Sequence, residues 1–506
     1  MESYVIQNNG VKVEVREELG RVLVAMKDFN TLFEVVIREH PALLWESEKF
    51  NQTPLSSFQN FLDAYSEASM DLKQSILQLY HPPLNESSPL VMSLKPIAKQ
   101  LSSYTCFHQD LILKLIAIVA TNAHQYYGYQ ETSNGDLHQH ERFNQVQSCN
   151  KKALYLFGSK VQHSCCPNST YTSKTPDGSL AYKVIQNIKA GEEVSFSYIG
   201  ELYYTPAHER RDRLLEGKDF WCMCKRCCGP DFCRVAKCSE CGELSPSKPI
   251  QIDSTSSAWS CWKCCSPTRE NDVLEKRLHD QLKLIIATTR AETPTRPIYD
   301  LIKAATKNLS TTHYIAIRGW LQLSTLYASK AAEKERMIQM SSFLPSSALE
   351  LTRKVSELSV KELRQKAALT GLRAVSLIEC VANECYGCKP GEFRHSPVYE
   401  SSSKVFHACI DLVDIPSSMY PHDAKKMVKR YIPYLYATFG DDDDDVKEIE
   451  RVILSSNSET RECENCKQKK KNLLLCSRCN LVWYCGKDCQ VKHWNCTHKQ
   501  QCVPSC

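Results

Sequence analysis

Between residues 11 and 45 apolar and polar positions alternate around a single glycine: Val11, Val13 and Val15, then Gly20, then Val22 and Val24, then the run Val35-Val36-Ile37. A period of two is the mark of a half-buried strand and the glycine marks a turn, so this stretch predicts two or three short strands. From about Ser56 to Tyr127 the spacing becomes helical, as in Leu111-Ile112, Leu115-Ile116 and Val119, with a break at His81-Pro82-Pro83. Residues 153 to 204 return to β-rich, turn-punctuated sequence, and from about Asp272 to Tyr436 helical spacing resumes, with Leu274, Leu278, Leu282 and Ile285, and again Leu321, Leu323 and Leu326, opposite charged faces. An array of helical hairpins fits this spacing, and no repeat of fixed period is present to make it a tetratricopeptide-like one. After Gly440 the acidic run Asp441 to Asp445 reads as a solvated linker.

Length turns this sequence of patterns into separate units. A chain of 506 residues exceeds the size at which one core keeps growing, so two to four domains are expected. A content of 42% hydrophobic and 24% charged residues is that of a soluble globular protein, and no apolar run of about 18 residues is present to span a bilayer. The opening Met1-Glu2-Ser3-Tyr4 lacks the basic-then-apolar pattern of a secretory signal, which points to the cytoplasm, the nucleus or both. A net charge of +5, from 63 basic and 58 acidic residues, is too mild to argue for direct nucleic-acid binding.

Cysteine changes the picture most. There are 27, many in C-x-x-C or C-x-C pairs, and in a reducing compartment such pairs are zinc knuckles rather than a disulfide framework. Near the C-terminus Cys463, Cys466, Cys476, Cys479, Cys485, Cys489, His498 and Cys502 supply eight ligands, enough for two tetrahedral Zn²⁺ ions. So short a segment buries little apolar surface, and the metal would supply its folding energy. Upstream, Cys238, Cys241, Cys261 and Cys264 have the two-knuckle spacing of a zinc ribbon, although Cys228, Cys233 and Cys265 offer competing ligands. Cys222, Cys224 and Cys227 give only three ligands, and Cys165 is the candidate fourth.

Tyr484-Cys485-Gly486-Lys487-Asp488-Cys489-Gln490, followed by Trp494 and His498-Lys499, closely resembles the MYND zinc finger. The resemblance implies interleaved ligands: Cys463, Cys466, Cys485 and Cys489 at one ion, and Cys476, Cys479, His498 and Cys502 at the other. It also implies a proline-containing peptide partner, with a groove near Gln490 and Trp494, although a purely structural Trp494 fits as well. The segment Gln162-His163-Ser164-Cys165-Cys166-Pro167-Asn168, then Gly191 to Tyr198, then Arg210-Arg211 and Phe220-Trp221-Cys222-Met223-Cys224, resembles the end of a SET methyltransferase domain with its post-SET cysteines. Together with Gly20-Arg21, Thr121-Asn122-Ala123 and Ala153-Leu154-Tyr155, the similarity runs over about residues 11 to 230. The chain thus resembles SET and MYND domain-containing proteins, most like their arthropod-type branch, with the MYND module at the C-terminus rather than inside the SET domain.

The expected fold class is α+β: a SET β-fold over residues 1–205 with a helical insertion at about 56–130, a post-SET zinc motif at 206–230 and a zinc ribbon-like segment at 231–268. A helical domain at 270–440, an acidic linker at 441–460 and the MYND finger at 463–502 complete it. By resemblance Tyr198 stands at the methyl-transfer point, and Gly20, Arg21, Asn122, Gln162 and His163 hold S-adenosylmethionine. Alone, Tyr198 would read as a packed tyrosine, His163 as a satisfied core histidine and Asn122 as a helix cap. The substrate would be a lysine of a protein or peptide, such as a histone tail, and four zinc ions per chain are expected: one post-SET, one in the ribbon, two in the MYND module. Three positions depart from the family pattern: Val22 for a second glycine, Gln162 for asparagine, and Lys218 for an aromatic hydroxyl four residues before Cys222. They motivate an alternative, a SET scaffold with weak or no catalysis serving as a zinc-binding adaptor or transcriptional repressor.

Overall fold

A computed structural model of the chain describes residues 4–17, 20–47, 54–85, 88–126, 151–173, 175, 177–200, 204–248, 258–341, 349–387, 428–429, 431–433, 435–436, 444–455, 461–470, 473–478, 482–499 and 502. The predicted strands are present: β1 (Val5–Asn8), β2 (Val11–Arg16), β3 (Gly20–Ala25), β4 (Val35–Glu39) and β5 (Leu43–Glu46). β2 and β3 form an antiparallel hairpin in which Arg16 faces Gly20. The backbone angle that favours glycine falls on Gly20, at φ +68°, while Val22, fully buried, continues a regular strand.

The helical insertion comprises α1 (Pro54–Glu67), α2 (Met70–Leu77), α3 (Pro89–Ser102) and α4 (Gln109–Asn122). Ser69 and Ser88 start α2 and α3 by accepting the N–H of Leu72 and Val91, and Pro89 occupies the first turn where no N–H partner is needed. α4 is apolar nearly all round, with Ile112, Leu113, Leu115, Ile116, Ala117, Ile118 and Val119 buried, and so runs through the middle of the insertion's core. That core closes on the sheet through Trp45, Leu154 and Leu156.

β6 (His124–Tyr126) and β7 (Lys151–Leu154) join β5 in a three-stranded sheet ordered β5-β7-β6. β8 (Gln162–His163), β9 (Ser169–Thr172), β10 (Leu180–Val184) and β11 (Ser195–Phe196) follow, with a second sheet ordered β1-β4-β10-β9 and β8 pairing in parallel with β11. Next come α5 (Ala207–Lys218) and the single turn α6 (Lys225–Cys228), then the hairpin of β12 (Asp231–Lys237) and β13 (Leu244–Ser247). The C-terminal helices are α7 (Arg269–Thr288), α8 (Arg296–Asn308), α9 (Tyr314–Ser341) and α10 (Leu349–Tyr386). At 20, 13, 28 and 38 residues they are too unequal for a regular repeat. Gly319 on α9 lets α8 approach, because a Cβ there would lie 2.6 Å from Ile302 Cγ1.

A buried bidentate ion pair fastens the ribbon to these helices: Arg234 on β12 donates to both oxygens of Glu275 on α7 at 2.8 and 2.6 Å, with His313 Nε2 3.5 Å from the same carboxylate. Within the expected acidic linker, residues Asp444–Ser455 form α11, with Val446 and Ile449 buried, while residues 441–443 lie outside the described residues. The terminal module consists of short strand pairs, β14 (Arg461–Glu462) with β15 (Lys469–Lys470) and β16 (Leu474–Leu475) with β17 (Trp483–Tyr484), and the helix α12 (Lys487–His493).

Candidate active site and metal centres

The residues expected around a methyl donor converge although they lie far apart in sequence. β3 runs beside the segment leading into β11, Ala25 N–H donating to Glu192 O and Val194 N–H to Leu23 O, which carries Gly20-Arg21 up to β8. There Gln162 Nε2 donates to Arg21 O at 3.3 Å. The turn after α2 clamps the same corner: Arg21 donates to Gln78 O, and Asn122 Nδ2 donates to Tyr80 O at 2.7 Å and to Ile118 O at 2.8 Å. Asn122 is therefore the last residue of α4 rather than a cap at its start, with its amide nitrogen committed and Oδ1 left as an acceptor.

Tyr198 stands just past β11, facing His163, Phe196 and Phe220, with ring centroids at 5.3, 4.8 and 6.2 Å. Its hydroxyl donates to Val161 O at 2.7 Å, and burial raises the phenol's pKa, so it remains protonated. Asn168 fixes the strand it follows, donating to Glu193 O at 2.7 Å and accepting from Ser195 N–H at 2.8 Å. Lys218, the last residue of α5, reaches the same place from the other side. Its Nζ donates to Ala120 O at 2.9 Å and Thr121 O at 3.1 Å, at the negative end of α4, and lies 5.6 Å from the Tyr198 ring centroid. Burial, then the nearby Lys152 charge, lowers its pKa to about 8. Tyr204 is buried in the core cluster that contains Cys165 and Cys222.

Four cysteine groups bring their ligand atoms within 4.8 Å of one another: Cys165, Cys222, Cys224 and Cys227; Cys238, Cys241, Cys261 and Cys264; Cys463, Cys466, Cys485 and Cys489; and Cys476, His498 and Cys502. Cys479, the expected eighth MYND ligand, lies outside the described residues. A tetrahedral ion with Zn–S bonds of about 2.3 Å separates its sulfurs by about 3.8 Å. The observed Sγ separations match: 3.5 Å for Cys227–Cys165 and 4.0 Å for Cys165–Cys222; 3.6 Å for Cys238–Cys264 and 3.8 Å for Cys241–Cys261; 3.5 Å for Cys466–Cys485 and 3.9 Å for Cys476–Cys502. Zinc therefore fits these donor sets, and the competing neighbours Cys228, Cys233 and Cys265 belong to none of the four groups, the thiol of buried Cys233 meeting Arg226 instead.

Sequence reasoning missed the charges around the first cluster. Arg210 and Arg211 on α5 are fully buried: Arg210 donates to Cys227 Sγ at 3.4 Å, and Arg211 to Cys222 O at 3.0 Å and Cys227 O at 3.1 Å. Arg226 adds a bond to Cys165 O at 3.1 Å. Four thiolates on one Zn²⁺ leave two negative charges, which need compensation away from water. Adjacent arginines on an otherwise polar helix just before a C-x-C were the available signal. In the terminal module Trp494 is half-buried, with the Arg478 guanidinium 5.7 Å from its ring centroid.

Comparison with known proteins agrees with this layout. A family model of the SET domain matches residues 20–199, and one of the MYND finger matches residues 463–502. The chain carries a SET domain and a MYND finger. The human N-lysine methyltransferase SMYD2 is 28% identical over 199 residues, which is 37% of this chain and 44% of that protein. The putative SET domain-containing protein L678 of Acanthamoeba polyphaga mimivirus is 26% identical over 218 residues, covering 43% of this chain and 76% of the viral one. SMYD2-B of Xenopus laevis reaches 46% identity, over 68 residues that make up 13% of this chain and 15% of its own. The match to the human protein thus spans less than half of its length. No helix among the described residues is long and apolar enough to cross a membrane.

Proposed function

We propose that this protein is a protein-lysine N-methyltransferase that uses S-adenosylmethionine, with the MYND module recruiting protein partners in the nucleus or cytoplasm. The observation that carries the proposal is the convergence of Gly20-Arg21, Asn122, Gln162 and Tyr198 on one corner beside a cysteine cluster of tetrahedral spacing. S-adenosylmethionine supplies an electrophilic methyl group on a sulfonium. The chain's part is geometric: transfer to an amine needs a neutral nitrogen approaching in line, and holding that arrangement removes most of the entropic barrier. Gly20 presents open backbone for the donor's amino-acid end, with nothing within 4 Å of where a Cβ would stand. Asn122 offers Oδ1 to its ammonium, and Gln162, held against Arg21 O, lines the same corner. Tyr198, kept protonated by burial, orients the accepting amine.

Zinc serves structure, with four ions per chain, and the four-thiolate sets leave no open position for catalysis. A lysine-bearing protein or peptide is the substrate, and a proline-containing peptide is the MYND partner. The test is transfer of labelled methyl groups to histones and other lysine-bearing proteins: turnover is expected from the wild-type chain and a large loss on Tyr198→Phe, whereas equal turnover by both would remove Tyr198 from the transfer point. One observation favours a second reading, an adaptor with little catalysis: Lys218 puts a cation against the Tyr198 ring, where a positively charged donor and an incoming lysine would meet repulsion.

A further inference from the structure

His163 touches two sites at once. Its Nδ1 accepts the backbone N–H of Tyr198 at 3.0 Å, while its Nε2 lies 3.3 Å from Cys165 Sγ in the buried cysteine cluster. A neutral imidazole has one donor and one acceptor nitrogen. Because the Tyr198 N–H can only donate, the ring proton must sit on Nε2, aimed at the sulfur.

The plane of the ring is held as well. Tyr198 lies at 5.3 Å and Phe220 at 5.8 Å from its centroid, and the parallel register of β8 and β11 sets His163 opposite Phe196. Tyr198 is thereby gripped at both ends by one strand segment: its amide by the His163 ring and its hydroxyl by Val161 O. Both ring nitrogens are engaged inside the protein, so the His163 side chain has neither left for a methyl donor.

We infer that His163 is a positioning residue that transmits the state of the Cys165, Cys222, Cys224 and Cys227 metal centre to Tyr198. A metal-bound thiolate is a charged acceptor, which strengthens the N–H bond from Nε2, and the metal fixes where the sulfur points. With that sulfur fixed the ring is fixed, and Nδ1 stays under the Tyr198 amide. The consequence for turnover rests on the methyltransferase reading; the link itself does not.

The test uses the full chain labelled with ¹⁵N-tyrosine, the Tyr198 amide being assigned through Tyr198→Phe, and compares zinc-loaded with cadmium-loaded protein. The Tyr198 amide resonance is expected to shift between the two metals in the wild type. In His163→Asn, whose carboxamide oxygen can still accept the Tyr198 N–H but whose side chain is too short to reach Cys165, the shift should vanish while the amide stays protected. In His163→Leu both shift and protection should be lost. The variants should also release the cluster's metal to a chelator roughly 10- to 100-fold more readily, the usual cost of losing an outer-shell partner. If His163→Leu fails to fold, His163→Asn decides the question alone. A wild-type Tyr198 amide blind to the metal, or a His163→Asn shift as large as the wild type's, would overturn the link. Intact coupling in a chain that binds no S-adenosylmethionine would retire the methyltransferase reading and keep the role of His163; methyl transfer with a metal-blind Tyr198 would do the reverse.

Discussion

The SET-side cysteine cluster and the MYND clusters contain the same ligand chemistry in opposite surroundings. Cys165, Cys222 and Cys227 are buried within an apolar cluster that extends through Tyr204 and Leu214 to the helices α7 to α10, and three buried arginines surround them. The MYND cluster has a core of Cys463, Cys476, Tyr484 and Cys502, and Cys466 is exposed. In the first the fold would persist around the metal, and the metal tunes a site. In the second the metal is most of what there is to fold around.

Removing metal should separate the two regions most sharply. Chelation, or Cys463→Ser alone, is expected to unfold the MYND module outright, since structural zinc supplies about 10–16 kcal/mol to domains of this kind. Hydrogen exchange should then show residues 461–502 unprotected while β4 and β10 stay protected; equal loss in both regions would break the contrast. Next in size, Arg210→Met should cost about 3–5 kcal/mol in chemical denaturation, because it leaves buried thiolate charge without its partner. Its counterpart Arg478→Met, which removes a cation placed over the Trp494 ring at the surface, should cost about 0.5–1 kcal/mol. Similar values for the two would mean that the buried arginines do not offset the cluster's charge.

The smallest effect concerns pH and confines itself to the SET side. Lys218 has a folded pKa of about 8 against 10.5 for an ordinary lysine, so between those values the unfolded chain binds the proton that the native chain has released. Stability should therefore rise with pH from about 8 to about 10.5, and the rise should be smaller in Lys218→Met. Affinity for S-adenosylmethionine should climb over pH 7 to 9 in the wild type as the cation beside Tyr198 is lost, and stay flat in Lys218→Met. A climb of the same size in the variant would assign it to another group.

The same contrast explains what could be read from the sequence. The period-two valines between residues 11 and 45, the proline break at residues 82–83 and the knuckle spacings are local patterns, and the structure places strands, a helix boundary and clustered sulfurs there. The helix α11 was not read from the sequence because the acidic run before it draws attention away from Val446 and Ile449, which bury one face of it. Tertiary partners were harder to read: the adjacent Arg210-Arg211 before the C-x-C signalled charge near the cysteines, but nothing at Arg226 announces its bond to Cys165 O, and the two contacts of His163 join residues 2 and 35 positions away. Val22, where the family pattern has a second glycine, falls on buried strand while Gly20 keeps the positive φ.

The central claim is that the corner formed by Gly20, Arg21, Asn122 and Gln162 still accepts a methyl donor. Calorimetric titration of the zinc-replete full chain with S-adenosylmethionine tests it most directly. One site per chain is predicted, with affinity weakened by Asn122→Ala. Absence of binding at donor concentrations of about 1 mM, equivalent to less than about 4 kcal/mol, would contradict the account and leave the SET domain as a scaffold.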